Sequence, residues 1–250
     1  MSILRGQDQC EKNIMSQWNQ LTDIFGCTWN EDQIPECAAD NICIAWPSII
    51  NCIKKTLGKP TNVKALDFGC GGGLFCRELH RIGFEVTGFD ESEELIKTAK
   101  ENTPDDVTIS NSNTIVRQNA KYDLITSIMV LQFIDDIDST IENIISHLEQ
   151  NGLIIFAVFN PTFIEENSNN KVFSDFETYQ TGYMELKKGF KIPVYNRTES
   201  DYRNLFDNKG FEEVYIDYPP FTNEFLNNYE MPFSTKQPEY LIQAFKPKNI

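Results

Sequence analysis

Long hydrophobic runs are missing from this sequence. The longest purely apolar run covers residues 153–159, far short of the roughly 20 residues that a membrane-spanning helix needs. The first residues, Met1 to Asp8, contain no apolar segment of signal-peptide length. We therefore expect no membrane partner and a cytoplasmic location.

Basic residues are scarce relative to acidic ones. The chain has 22 lysines and arginines against 37 aspartates and glutamates, which gives a net charge of −15. A phosphate backbone or an anionic lipid surface would repel such a protein. Nucleic acid is therefore not an expected partner, and the composition is that of an ordinary globular protein.

Paired metal-binding motifs are also absent. Seven cysteines lie between Cys10 and Cys76 without any CxxC spacing, unlike a disulfide framework or a zinc site. We expect free thiols in a reducing compartment and no bound metal. The only histidines are His80 and His147, and both fall in predicted helices, where we expect surface or core roles.

The middle of the chain alternates short apolar runs with segments of helical spacing. The runs are residues 63–68, 86–89, 107–109, 124–128 and 153–159, and the helical segments are 75–82, 93–100 and 137–148. This alternation is typical of a mainly parallel sheet with helices on both faces. Residues 1–59 have helical spacing and residues 161–200 are polar and aromatic. A helix at 199–208 and a strand pair at 211–218 and 240–245 complete the prediction.

The most informative segment is a glycine-rich turn between a predicted strand and a predicted helix. Its glycines begin at Gly69 and continue at positions 71–73, where they allow a tight turn and close approach to a ligand. The spacing is not GxGxxG, because the sixth position is Leu74. Asp67 precedes the turn and would repel a pyrophosphate, whereas it suits a ligand that carries an ammonium group.

An acidic residue ends the next predicted strand. Asp90 follows the turn by about 20 residues, where an aspartate can accept both ribose hydroxyls of a nucleoside. Residues 122–134 then indicate a buried strand with its turn. Residues 148–155 indicate a helix end, a glycine turn and a strand.

In this order, these segments resemble the class I S-adenosylmethionine-dependent methyltransferases, in the small-molecule branch that includes ubiquinone-biosynthesis-type O-methyltransferases. The resemblance covers residues 60–160 well and extends to 196–214. It implies a doubly wound, mainly parallel seven-stranded sheet of Rossmann-like type. It also implies a helical N-terminal cap at 1–59, a methyltransferase domain at 60–250, and a lid insertion after the fifth strand at about 161–195.

The resemblance further implies which residues contact S-adenosylmethionine. The methionine half would lie on Asp67, Gly69, Cys70 and Gly71, the ribose on Asp90, the adenine edge along Glu91, and the methylthio group above Ile128 and Met129. The family usually has an aspartate after the third strand, where this chain has Asn111 and Ser112. It often has a histidine after the fourth strand, where this chain has Gln132.

The residues that would bind the methyl-accepting substrate are less closely defined. Candidate substrate-binding residues are Trp18, Gln132, Phe163, Tyr183, Tyr195 and Arg197. Structural roles are the alternative, with the aromatic residues packing the core of the insertion and Arg197 in an ion pair. The predicted activity is methyl transfer to an oxygen, nitrogen or carbon atom of a small molecule, with the catalytic base left unknown. The alternative is a catalytically silent S-adenosylmethionine-binding interaction or sensor protein.

Overall fold

A computed structural model of the chain describes residues 18–28, 30, 33–58, 63–111, 120–168, 172–177, 181–187 and 189–248. Its strands are β1 (Lys64–Phe68), β2 (Glu85–Phe89), β3 (Thr108–Ser110), β4 (Tyr122–Ile128), β5 (Leu148–Phe159), β6 (Phe173–Glu177), β7 (Thr181–Lys187), β8 (Phe190–Tyr195), β9 (Phe211–Asp217) and β10 (Tyr240–Pro247). Its α-helices are α1 (Thr22–Phe25), α2 (Trp46–Leu57), α3 (Leu74–Arg81), α4 (Glu93–Asn102), α5 (Ile137–Ser146), α6 (Pro161–Asn167), α7 (Glu199–Asp207) and α8 (Asn223–Asn228). A 3-10 turn covers Glu36–Ala38, a π-helix covers Asn41–Ala45, and a second 3-10 turn covers Leu131–Phe133.

Seven strands form one sheet in the order β3-β2-β1-β4-β5-β10-β9. Strands β1, β2 and β3 pair in parallel, as do β4 and β5, whereas β10 runs antiparallel to both β5 and β9. The predicted fold class is therefore confirmed. By contacts the chain divides into two compact units, Met1–Ala38 with Pro60–Ala120 and Ala39–Lys59 with Lys121–Ile250. The predicted domain boundary at residues 59 and 60 stays a prediction.

The first unit is built on the parallel strands β1 to β3. Ala65 and Leu66 of β1 are buried, as the predicted strand at 63–68 requires. Ser92 is the N-cap of helix α4, and its hydroxyl accepts the backbone N–H of Leu95 at 3.2 Å, so the cap fixes where the helix starts. The predicted strand–helix alternation is confirmed in this unit.

The second unit contains one strand that the sequence prediction described wrongly. We predicted a helix end and a glycine turn over residues 148–152, but β5 begins at Leu148, which pairs with Tyr122. The next pair joins Leu124 to Leu153, so the intervening residues of β5 are taken up by an irregularity in the ladder. Such a bulge lets a strand continue through a polar stretch that contains glycine.

The predicted insertion forms helix α6 and an antiparallel three-stranded sheet in the order β6-β7-β8. Its aromatic residues build a core with the end of β5. Phe163 and Phe173 are fully buried, and their rings meet edge to face with centroids 6.1 Å apart. Phe159 stacks on Phe163 at 6.2 Å. For these residues, the structure therefore supports the alternative role, in which aromatic side chains pack the core of the insertion.

The cysteines differ from the prediction at one pair. Cys27 and Cys37 form a disulfide with their Cα atoms 6.4 Å apart, whereas Cys43, Cys52, Cys70 and Cys76 are free. The prediction of free thiols is therefore wrong for this pair. The two cysteines are separated by 10 residues in sequence, a spacing that carries no CxxC signal. No helix within the described residues is long and apolar enough to cross a membrane.

Candidate functional site

The glycine-rich turn of the first unit connects β1 to α3. Gly69, Gly71 and Gly73 have φ angles of 78°, 51° and 79°, in the left-handed region that favours glycine. The backbone N–H groups of Gly69 and Cys70 both donate to the carbonyl oxygen of Phe89 at 2.8 Å. The end of β2 therefore holds the turn against the end of β1.

Two of these glycines differ in what surrounds them. A Cβ atom at Gly73 would lie 2.9 Å from Ala99 of α4, so a side chain there would collide with the neighbouring helix. A Cβ atom at Gly71 would lie 3.9 Å from its nearest neighbour, the carbonyl oxygen of Phe25. A side chain at Gly71 would therefore fill the space beside the turn, into which a ligand could fit.

Asp90 closes the turn from the end of β2. One carboxylate oxygen accepts the backbone N–H of Gly71 at 2.9 Å, and the other accepts that of Ser92 at 2.8 Å. Burial raises the pKa of Asp90, although these backbone donors act to lower it. A carboxylate has about four acceptor positions, and the backbone of Glu91 also bonds to Asp90, so Asp90 retains about one position for a ribose hydroxyl.

Asp67 lies in β1 just before the turn and is only 3% exposed. The Cys76 thiol donates to its carboxylate at 3.6 Å. Hydrogen bonding to Cys70, burial and the charge of Asp67 hold the pKa of Cys76 well above its ordinary value. Cys76 therefore serves as a protonated neighbour of Asp67, and Cys70 is buried beside it.

The predicted adenine contacts lie farther along the same edge of the sheet. Glu91 and Asn111 are exposed, directly after Asp90 and after the end of β3. Ser112 lies outside the described residues. The backbone N–H of Asp90 donates to the carbonyl oxygen of Ser110 at 3.3 Å, which ties the ends of β2 and β3 together.

Asn102 supports the turn, although the sequence reasoning overlooked it. It ends α4, is only 3% exposed, and donates from Nδ2 to the carbonyl oxygens of Cys27 and Gly72, both at 2.7 Å. A buried asparagine that holds two backbone segments is a positioning residue. Its only sequence signal is an asparagine at a helix end.

In the second unit, the end of β4 carries Met129 and Gln132. Met129 has a φ of 57° and donates its backbone N–H to Ala157 at 2.8 Å. Such left-handed strain in a residue other than glycine is concentrated at functional sites. Gln132 is 1% exposed, its Nε2 faces the Met129 sulfur at 3.8 Å, and its Oε1 has no hydrogen-bond partner among the described residues. Ile128 is partly buried at the end of the strand.

Arg197 has a structural role in this unit. Its guanidinium donates to the carbonyl oxygens of Leu131, Ile134 and Asp135 at 3.2, 2.7 and 3.0 Å. It also lies 4.9 Å from the centroid of the Tyr195 ring. These contacts fix the turn after β4, and they occupy donors that we had assigned to a substrate.

The other predicted substrate residues have different surroundings. Phe163 is in the insertion core, whereas Tyr183 of β7 is 42% exposed. Trp18, in the first unit, packs its ring 6.0 Å from that of Phe25. The histidines fit the structural expectation, since His80 bonds Asp106 at 3.0 Å near the surface and His147 is buried just after α5.

Comparisons with known proteins agree with this geometry. A family model described as a methyltransferase domain matches residues 47–216. The ubiquinone biosynthesis O-methyltransferase of Pelagibacter ubique is 32% identical over 106 residues, which are 40% of this chain and 44% of that protein. The chain thus spans less than half the length of the curated relatives it matches.

Solved structures share the fold. An S-adenosylmethionine-dependent methyltransferase from Mesorhizobium loti has a TM-score of 0.61 at 20% identity, covering 83% of this chain and 97% of that one. Magnesium protoporphyrin IX methyltransferase from Synechocystis PCC 6803, with bound SAH, has a TM-score of 0.59 at 17% identity, covering 94% and 95%. The predicted resemblance to class I methyltransferases is confirmed for family and fold. The family model covers more than half of the sequence, and the chain belongs to the methyltransferase domain family.

Proposed function

We propose that this protein transfers a methyl group from S-adenosylmethionine to a small molecule. The observation that carries the proposal is the bond from the Gly71 backbone N–H to Asp90, which joins a glycine turn to a carboxylate at the end of the next strand. Family membership supports the reaction class. A sensor protein without catalysis has no comparable support.

The residues of the first unit fit the cofactor. Asp67 would attract the ammonium group of the methionine half, and the turn from Gly69 to Gly71 would let the backbone approach it. Asp90 would accept a ribose hydroxyl, while Glu91 and Asn111 are exposed where the adenine would lie. When bound, the cofactor supplies an electrophilic methyl group on a positively charged sulfur.

Ile128 and Met129 remain our candidates for contact with the methylthio group, and Gln132 remains a candidate for the substrate. A strained backbone at Met129 and an unsatisfied buried amide oxygen of Gln132 support these assignments. Water exclusion and alignment of acceptor and methyl group would provide much of the rate. Neither histidine lies at the carboxyl end of a parallel strand, so we expect a carboxylate, a tyrosine or water to take any proton that the acceptor loses.

The substrate is proposed to be a small molecule. The net charge of −15 opposes nucleic acid, and the curated relatives are named for O-methylation in ubiquinone biosynthesis. Oxygen is therefore the first acceptor atom to test, before nitrogen and carbon.

Cofactor binding tests the proposal directly. Titration calorimetry should show binding of S-adenosylmethionine and its demethylated product, and no binding of NAD. Asp90→Ala should weaken the affinity by about 1.5–3 kcal/mol, the range for hydrogen bonds to a charged group. The exposed Glu93→Gln, also on the segment after β2, is the matched control. Binding of NAD alone, or unchanged affinity in a folded Asp90→Ala protein, would contradict the proposal.

A further inference from the structure

Three polar groups of the second unit meet where β10 begins. Glu239 precedes β10 and is 3% exposed, and Tyr240 is fully buried. Asp40 caps the π-helix, and its carboxylate accepts the backbone N–H of Asn41 at 2.8 Å. The charge of Asp40 acts on both Glu239 and Tyr240, and we refer to Asp40, Glu239 and Tyr240 as the acidic cluster.

The topology places the acidic cluster beside the end of β5. Tyr240 pairs with Phe159, the last residue of β5. The backbone N–H of Asn160 donates to the carbonyl oxygen of Glu239 at 2.7 Å, and the Asn160 side chain donates to that of Pro238 at 2.9 Å. Ligands of open sheets with parallel strands bind at the carboxyl ends of those strands, and the acidic cluster lies at such an end.

The acidic cluster has more acceptors than donors. Glu239 Oε2 is buried without a hydrogen bond to any described residue, and the buried Tyr240 hydroxyl lies beside the carboxylate of Asp40. Buried polar atoms in native proteins are nearly always paired. The unpaired Glu239 oxygen near a second carboxylate therefore indicates a partner that brings its own N–H or O–H groups.

The acidic cluster also lacks a positive charge. Neither Asp40 nor Glu239 forms an ion pair with a described residue. Burial and the charge of Asp40 hold the pKa of Glu239 well above its ordinary value. Burial and the charges of Asp40 and Glu239 raise the pKa of Tyr240 in the same way. A bound cation would offset the charges of Asp40 and Glu239 together, and it would thereby lower the free-energy cost of burying two carboxylates.

We propose that the acidic cluster binds a protonated amine of the methyl-accepting substrate. This inference rests on the proposed function and specifies the substrate class. An ammonium group has three donors and one positive charge, which suits the two carboxylates of the acidic cluster and supplies the missing charge. The protonated nitrogen has no lone pair, so it is the recognition group and the methyl acceptor is another atom of the substrate.

The surroundings indicate what else the substrate carries. Asp40 is partly exposed whereas Glu239 and Tyr240 are buried, so solvent reaches the acidic cluster from the side of Asp40. Phe159 belongs to a phenylalanine cluster against which Phe221 and Phe233 are only partly buried. An aromatic ring next to the amine would fit these side chains, and an arylalkylamine is therefore the probe of choice.

The experiment compares 2-phenylethylamine with 2-phenylethanol, which has nearly the same shape without the charge. Calorimetry on the full chain saturated with the demethylated cofactor should show at least about tenfold tighter binding of the amine. Glu239→Gln should reduce that ratio to near one. Tyr240→Phe should reduce it in part, and the exposed Glu230→Gln should leave it unchanged.

Several outcomes would overturn the proposal. They are equal or undetectable binding of the two probes by the wild-type protein, a ratio that survives Glu239→Gln in a folded variant, and Ca²⁺ or Mg²⁺ binding that Glu239→Gln abolishes. Cofactor affinity is measured in the same proteins. Loss of amine selectivity with intact cofactor binding contradicts this inference alone, whereas absence of cofactor binding in the wild type contradicts the proposed function.

Discussion

Asn102 and Asp90 hold the glycine turn in the first unit by different means. Asp90 accepts two backbone N–H groups with its carboxylate, whereas Asn102 donates to two backbone carbonyl oxygens from its amide nitrogen. The turn is thereby held by a hydrogen bond from its Gly71 N–H group and by another to its Gly72 carbonyl oxygen. A ligand would meet a backbone already ordered before it binds.

Asn102→Ala should destabilise the protein and weaken cofactor binding together. It leaves the carbonyl oxygens of Cys27 and Gly72 without their buried donor, which costs about 1–3 kcal/mol. Urea unfolding measures the stability and calorimetry the affinity. Asn228→Ala, at an exposed position of α8, is the control and should change neither. Wild-type stability and affinity in Asn102→Ala would show that the amide bonds do not position the turn.

The insertion is an element with its own core rather than a loose loop. Helix α6 and strands β6 to β8 pack Phe163 and Phe173 against Phe159. Removing residues 165–190 is therefore a poor test of a lid, because it deletes β6 and β7 and leaves most of β8 unpaired. Single substitutions distinguish packing from substrate contact better.

Phe173→Ala should lower the free energy of unfolding by about 3–5 kcal/mol, the usual cost of removing a buried phenylalanine. Tyr183→Ala, at an exposed position of the same sheet, should change it by less than about 0.5 kcal/mol. If the insertion contacts the substrate, Tyr183→Ala will lower methyl transfer with cofactor affinity intact. Wild-type turnover in Tyr183→Ala would remove that residue from the acceptor site.

For the molecule as a whole, pH should act on stability through its buried carboxyls. The pKa of Glu239 lies above its ordinary 4.5, and burial also raises those of Asp40 and Asp90. Because the pKa of Glu239 is raised in the folded state, its protonated carboxyl contributes to the stability of the fold below about pH 4.5. That contribution is lost as pH rises through the folded-state pKa. Asp40 and Tyr240 face Glu239 and carry no compensating positive charge.

Glu239→Gln should therefore become more stable relative to the wild type as pH rises above about 4.5, because glutamine cannot ionise. The difference grows by at most about 1.4 kcal/mol per pH unit for one proton. Chemical unfolding of both proteins between pH 4 and 8 (roughly the window set by one titrating carboxyl) measures it. Parallel stability profiles would show that Glu239 does not titrate in this way.

Local order along the chain was readable from the sequence. The run before Gly69 predicts a buried strand, the glycines predict a tight turn, and Asp90 ends the next strand, all of which the structure contains. These features depend on each residue's own backbone preference and on burial of a single segment. Both leave a periodic pattern in neighbouring residues.

Other features were decided only when distant segments met. Asp40 and Glu239 come from opposite ends of the chain, and the bonds of Asn102 and the Cys27–Cys37 disulfide depend on loops between elements. The antiparallel pairing of β6 to β8 and the irregular start of β5 likewise follow from register with partner strands. Local propensity carries no information about such partners, because their energy comes from contacts that exist only after the topology brings them together. The sequence by itself determined the family, the parallel sheet and the glycine turn, and the tertiary structure alone brought together the acidic cluster at the end of β5.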